Sequence, residues 1–343
     1  MRTAHDRRRN LALGLTLGLA AFWCAASPAP AQTADWAKQE TGLGRIPARV
    51  GAMMAFDAAH GNSVMFGGIG VSSLGPINLD DTWIWDGKKW TQVFPAASPP
   101  PRYNGVIFYH AATGRVILFG GAAYISGVVI PLGDTWLWDG TNWQQLFPQS
   151  SPSARYGGAA TYDSARDLAV VFGGFNSDYL AETWTWDGAN WALASAQDPP
   201  AGRILPGLSY DSVLNQVVLF GGHSADGYLN DTWIWNGSTW TQRSPATSPA
   251  IRYGPSMVYD PSLGYSLLFG GNNKDGNLND TWTWDGTNWS DVSPRHSPQP
   301  RFNAMMDYDS LNQVVVLFGG AHGTAHGDIY LDDTWFWTTG GLL

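Results

Sequence analysis

Near-copies of one decapeptide recur along this chain. Asp280–Trp289 reads DTWTWDGTNW, and relatives begin at Asp81 (DTWIWDGKKW), Asp134 (DTWLWDGTNW), Glu182 (ETWTWDGANW) and Asp231 (DTWIWNGSTW); a sixth, at Asp333, reads DTWFW and stops. Each follows a Phe-Gly-Gly, at Phe66, Phe119, Phe172, Phe220, Phe269 and Phe318, so that the repeats are spaced by 53, 53, 48, 49 and 49 residues. A period near 50 predicts one supersecondary unit stacked on its own copies, as in a propeller or a solenoid. It leaves no room between copies for a helical domain.

The decapeptide itself reads as strand, turn, strand. Trp282 and Trp284 are two apart and share one face of a strand, with Thr281 and Thr283 on the other. Asp285-Gly286 is a turn signal, and Trp289 opens the return strand opposite Trp284. Seventeen of the nineteen tryptophans sit in these copies. A buried Trp removes roughly 150–250 Å² from water, which at about 25 cal/mol per Å² is about 4–6 kcal/mol before entropy. A single four-stranded sheet cannot cover several such rings, so neighbouring copies must pack face to face. The tryptophans read as inter-unit core rather than as sugar-stacking platforms.

Beyond the decapeptide, each unit offers two further strands. The first follows an Arg and ends in an aromatic residue: Arg49 to Phe56, Arg102 to Tyr109, Arg155 to Tyr162, Arg203 to Tyr210, Arg252 to Tyr259 and Arg301 to Tyr308. The second runs into Phe-Gly-Gly, as in QVVLFGG at Gln216–Gly222. The fourth strand, opened by the last Trp, fades into Pro/Ser linkers such as Ser98–Pro101. Unit six has Trp335 and Trp337 but no fourth strand, whereas Asp35-Trp36-Ala37-Lys38 near the start matches a fourth strand that lacks its unit. An open solenoid needs capped ends; here the two ends complement each other. The expected fold is therefore all-β: a six-bladed β-propeller over 32–343, four antiparallel strands per blade, closed by an N-terminal strand completing the last blade.

Residues 1–31 have the three parts of an export signal: Arg2, Arg7, Arg8 and Arg9, then apolar Leu11–Ala26, then Ala29-Pro30-Ala31 before Gln32. The pair Arg8-Arg9 leaves both the general and the twin-arginine routes open. An exported protein, periplasmic or secreted, follows as an expectation. The one cysteine, Cys24, falls within this segment, so the mature chain is expected to have no disulfide or thiol chemistry. Loss of the segment removes four arginines and one aspartate and moves the net charge from −9 to −12. That acidity argues against nucleic acid or an anionic membrane as partner, and no later run is long and apolar enough to span a bilayer.

The diglycine, the following strand with its aromatic-Asp pair and the separate Trp resemble the Kelch repeat. The likeness covers residues 35–337, with Trp85, Trp138, Trp186, Trp235 and Trp284 standing where the family usually has Tyr. The resemblance implies a propeller. It implies no single function, because such propellers serve as scaffolds, ligand-binding domains and a few enzymes. A copper-radical oxidase of the kind known in some Kelch-like propellers needs a Tyr–Cys cross-link, for which the mature chain has no cysteine.

Loop lengths single out one face. Between Gly-Gly and the acidic residue there are 12 residues in units one, two and six, against 7, 8 and 8 in units three, four and five. In a closed ring the three long connections are neighbours and raise one side of the face where binding loops are expected. Arg49, Arg102, Arg155, Arg203, Arg252 and Arg301 open the innermost strands on this face, and a ring of guanidinium groups suits a carboxylate or phosphate. The repeated acids at the start of the third strands offer the alternative, a structural ion pair in each blade. The resemblance implies that an Arg here contacts ligand.

Tyr124, Ile125, Val128, Val129 and Ile130 form an apolar cluster in the second long connection, either packed over the channel mouth or offered to a partner. His322 and His326, with Asp328, lie in the sixth; this Gly-rich stretch has no helical register to align ligands, and no metal site is expected. Nor is one expected at Asn273–Asn279, which lacks the terminal Glu of a calcium loop. No cofactor is called for, and no catalytic motif is present.

Two functions follow as expectations. The first is a binding module for a glycan or protein ligand on the face of the long connections. The second, from likeness to sialic-acid-processing Kelch propellers, is a mutarotase- or epimerase-like enzyme holding a substrate carboxylate with a ring Arg, with a loop or channel acid or a His, His322 and His326 being the candidates, moving the proton. The sequence leaves the oligomeric state open.

Overall fold

The structure, a computed structural model, describes residues 34–40, 46–73, 75–325 and 327–339. The expected export segment lies outside them, as does His326. Among the described residues there is no helix, and six four-stranded antiparallel sheets form the blades of a propeller. Blade 1 runs outward from the axis as Met53–Asp57, Asn62–Ser72, Gly75–Trp85 and Trp90–Val93. Blades 2 to 5 repeat this order. Blade 6 takes Met305–Asp309, Val314–Phe318 and Thr334–Thr338 from one end of the chain and its outer strand, Asp35–Gln39, from the other, with Trp36 opposite Trp337 and Gln39 opposite Thr334.

The core lies between blades. Met53, Val64 and Phe66 of blade 1 pack against Val116, Leu118, Trp138 and Trp143 of blade 2, and equivalent clusters fill the other junctions. Trp284 and Trp289 face each other across their strand pair with ring centroids 5.4 Å apart. The outer Trp of each blade also sends its indole N–H to a buried threonine of the preceding blade: Trp143 to Thr82, Trp191 to Thr135, Trp240 to Thr183, Trp289 to Thr232 and Trp90 to Thr334, all at 2.9–3.0 Å. The threonines of the Asp-Thr-Trp triplet thus have a definite task, satisfying a buried donor that would otherwise cost about 1–3 kcal/mol.

A second sixfold device joins the blades through Phe-Gly-Gly. The diglycine makes a bulge in the sheet, seen as a register shift between Phe66 and Gly68. Gly67 sits at φ +65°, where a Cβ would lie 2.6 Å from the Arg102 carbonyl of the next blade, so no side chain fits. Gly68 N–H then donates to that same carbonyl at 2.8 Å.

Around the axis, the residues two beyond each Arg are all left-handed: Gly51, Asn104, Gly157, Leu205, Gly254 and Asn303. Their backbones form a closed circuit of six N–H···O=C bonds, each residue donating to its counterpart in the preceding blade at 2.6–3.3 Å. The Asn303 Nδ2 donates to Asn104 Oδ1 at 2.7 Å above Gly51. This circuit constricts the channel on the face of the long connections.

Candidate binding face

The long connections are hairpins rather than irregular loops. Blade 1 extends its two middle strands to Ser72 and Gly75. Blade 2 adds the pair Ala122–Ile125 and Val128–Pro131, and blade 6 adds Ala321–Thr324 and Gly327–Tyr330. Neighbouring hairpins are clasped by asparagines that imitate a strand partner. Asn78 donates to the Tyr124 carbonyl at 2.8 Å and accepts from the Tyr124 N–H at 3.2 Å. Asn277 of blade 5 does the same toward blade 6, donating to Ala321 O and accepting from Gly323 N–H.

The crests of these hairpins are apolar and open to solvent. Tyr124 is 52% exposed, Val128 60%, Val71 67% and Ile329 55%, with Ile77, Ile125, Val129 and Ile130 also exposed. Of the two arrangements open to the blade-2 cluster, packing over the channel mouth is not the one adopted; the crest stands out into solvent.

The arginines lie elsewhere than a ligand would need them. All six are buried, at 0–2% exposure. Arg49 sends Nε to Pro47 O, Nη1 to Gly67 O and Asp81 Oδ1, and Nη2 to Asp81 Oδ2. Arg102, Arg203, Arg252 and Arg301 repeat this with Asp134, Asp231, Asp280 and Asp333 at 2.6–2.9 Å. Arg155 meets Glu182 through one oxygen at 2.6 Å. Of the two roles open to the ring arginines, the structure shows the ion pair in each blade: own-blade acids and carbonyls occupy the guanidinium donors beneath the surface. Each acid also accepts the first Trp of its own strand, as Trp136 Nε1 to Asp134 Oδ2 at 2.6 Å. Burial raises the pKa of Asp134, Asp280 and Asp333, but the hydrogen bond and charge of the paired Arg outweigh it and hold all three below the usual carboxylate range.

His322 sits on the blade-6 hairpin, half-buried, with Nδ1 2.7 Å from Pro300 O. Among the described residues no three potential metal ligands cluster. The sequence reading passed over a further feature of this face. On the low side, half-buried aromatic rings touch in an unbroken line: Tyr103 to Tyr156, Tyr156 to Phe175, Phe175 to Tyr179, Tyr179 to His223, and His223 with Tyr228 and Tyr253, ending at Phe302. Tyr179 Oη and His223 Nδ1 lie 2.9 Å apart, and Tyr228 stacks on Tyr253 at 5.6 Å. Burial, with Tyr156 and Tyr124 nearby, pushes the Tyr103 phenol up to about 12; burial also raises Tyr156 and Tyr253. These three phenols are therefore neutral at ordinary pH. The residue after each ring Arg was a detectable signal, being Tyr103, Tyr156, Tyr253 and Phe302 in four of six blades.

Residues 187–340 match a family model described as the KLHDC2/KLHL20/DRC7 Kelch-repeats domain. No curated protein matches this chain. Among solved structures, one described as "Structure of YjhT" is similar with a TM-score of 0.64 at 16% identity, covering 85% of this chain and 96% of that one. A likeness at that identity speaks for the fold.

Proposed function

This chain is a Kelch-repeat β-propeller, and from that premise we propose that it is an exported binding module whose hairpin face docks a protein partner. The observation that carries this reading is the crest formed by Val71, Ile77, Tyr124, Ile125, Val128 and Ile329 on the three adjacent hairpins. Exposed apolar side chains gathered on one raised edge, rather than scattered singly, are the usual mark of a docking surface. Asn78 holds the blade-1 and blade-2 hairpins to one another and Asn277 of blade 5 holds the blade-6 hairpin, so none hangs free and little order has to be gained on binding. Export rests on the charge and hydropathy pattern of residues 1–31, and places the partner in the periplasm or outside the cell.

A glycan is a second reading, favoured by the line of aromatic rings on the low side of the same face. Sugar rings stack on such surfaces without needing charge. The sugar-acid enzyme loses its specific support, since the Arg that was to hold the substrate carboxylate is committed to its own blade.

Cross-linking in the native envelope, comparing the parent with Ile125→Asp/Val128→Asp, tests the protein reading. One discrete cross-linked partner lost in the variant is expected. An identical pattern in both would overturn the assignment of the crest, and saccharide binding abolished by Tyr253→Ala in place of a protein partner would transfer the function to the belt.

A further inference from the structure

The opposite face of the propeller opens into the axial channel, a cavity of about 440 Å³. This is within the range of about 300–1,000 Å³ of small-molecule sites. Its mouth is formed by the turns after the innermost strands, at Ala58, Ser164, Ser212, Pro261 and Ser310. Its far end narrows to the backbone circuit through Gly51 and Asn104. The wall is mainly apolar, with Met54, Ile107, Leu208, Met257 and Met306 supplied by five of the six blades.

One residue departs from this lining. At the third position of the innermost strand the blades carry Ala55, Phe108, Thr161, Ser209 and Val258, and blade 6 alone carries an acid, Asp307. No Lys, Arg or His lines the cavity, and among the described residues no cation pairs with Asp307. The carboxylate is nonetheless fixed in place: Oδ2 accepts the Phe56 N–H of blade 1 at 2.5 Å and Oδ1 accepts the Tyr308 N–H at 2.8 Å. Two backbone donors orient it and leave further lone pairs on both oxygens. The fold does not require an acid there, because five blades form the same strand without one. A charge buried in an apolar wall is costly unless something neutralises it, and here nothing in the wall does. Polarisable thioethers and aromatic edges around it suit the apolar part of a guest.

We propose that the axial channel is a small-molecule site for an organic cation, a primary or secondary ammonium on an apolar body, with Asp307 accepting the ammonium and the methionine-lined wall taking the body. The site is independent of the hairpin face and faces the other way.

The probe is phenethylammonium, set against 2-phenylethanol and phenylacetate, with binding to the full protein read from the ¹³C-methyl signals of Met54, Met257 and Met306. Saturable shifts of these three methyls by the ammonium are expected, with the alcohol at least tenfold weaker and the carboxylate weaker still. Asp307→Asn should erase the preference for ammonium over alcohol. Asp307→Ser, which installs what blade 4 carries at the same position, should do the same while keeping the fold. Equal binding of ammonium and alcohol by the parent, absence of shifts at the channel methyls, or an ammonium preference that survives both substitutions would each overturn the proposal.

Discussion

Trp36 Nε1 donates to Thr281 Oγ1 at 3.0 Å, across 245 residues of sequence. It is the contact that Trp143 makes with Thr82 and Trp289 with Thr232, but made by a strand from the other end of the chain. Trp36 also meets Phe269 of blade 5 and Trp337 of blade 6, at 5.2 and 5.3 Å between centroids. The first described strand is thus a full member of the last blade.

Trp36→Ala should therefore cost about 3–5 kcal/mol, like a buried Trp anywhere in the core, although it lies within a few residues of a strand terminus. Thr281→Val, which leaves the indole N–H buried without an acceptor, should cost about 1–3 kcal/mol. Removing residues 32–40 should lower Tm further than either. Calorimetric melting of the three variants checks this, and a truncated chain that melts with the parent would show that the ring does not depend on closure by the strand Asp35–Gln39.

The ion pairs predict an asymmetry. Arg203 is fully buried, whereas the side chain of Asp231 keeps 18% of its exposure. Asp231→Ala strands a buried guanidinium together with the indole N–H of Trp233, which donates to Asp231 Oδ2 at 2.7 Å. Arg203→Ala strands a carboxylate that still reaches water. Breaking a buried pair costs about 3–5 kcal/mol; the aspartate variant should fall at or above the top of that range and the arginine variant near the bottom. Chemical denaturation of both would reveal it, and a larger loss for Arg203→Ala would contradict the picture of the acid as the shared acceptor.

Much of this was legible in the residues because it repeats. Phe-Gly-Gly, the Asp/Glu-Thr-Trp triplet and the solitary Arg each recur six times, so their joint requirement for blades and for own-blade ion pairs survives local variation. Even the missing strand was legible, as a Trp without a unit and a unit without its Trp. The backbone circuit was not, because Gly51, Asn104 and Leu205 share only a left-handed backbone, which no common side chain advertises. The aromatic belt is assembled from two unlike positions, the residue after each Arg and the hairpin stems at Phe175, His223 and Tyr228, that only the ring brings together. Asp307 escaped for the opposite reason: it is a single departure from a repeat, and its meaning depends on what five other strands place beside it.

Asp307 and the paired aspartates should pull stability in opposite directions with pH. Burial raises Asp307 to about 6, with the charge of Asp309 adding to the rise and the Phe56 and Tyr308 N–H groups opposing it. The unfolded value is near 3.9, so the folded state binds more protons between pH 4 and 6, and this group's contribution falls as pH rises through that window. Above pH 6 the penalty is constant, at roughly 3 kcal/mol by linkage. Asp134, Asp280 and Asp333 are lowered instead, so their stabilisation is present above about pH 4 and is lost below it. Asp307→Asn should raise Tm relative to the parent at pH 7 and lose that advantage at pH 4. Melting curves across this range decide it; a constant difference at all pH values would mean that Asp307 does not titrate there.

The hairpin face offers the last test, through Asn78. Its two hydrogen bonds to Tyr124 join the blade-1 and blade-2 crests, and they hold two strands whose own apolar side chains face solvent. Asn78→Ala removes the link without touching the blade core, so global stability should change by no more than about 1 kcal/mol. Amide exchange should accelerate in Ala122–Pro131 and Ser72–Leu79, since those hairpins lose their mutual brace. If a rigid crest is what a partner recognises, the same variant should weaken docking several-fold, chiefly by faster dissociation, although Asn78 presents no apolar surface of its own. Faster exchange with unchanged docking would leave the clasp as a structural detail and direct the search for the contact residues to the blade-6 hairpin around Ile329, which Asn277 rather than Asn78 braces.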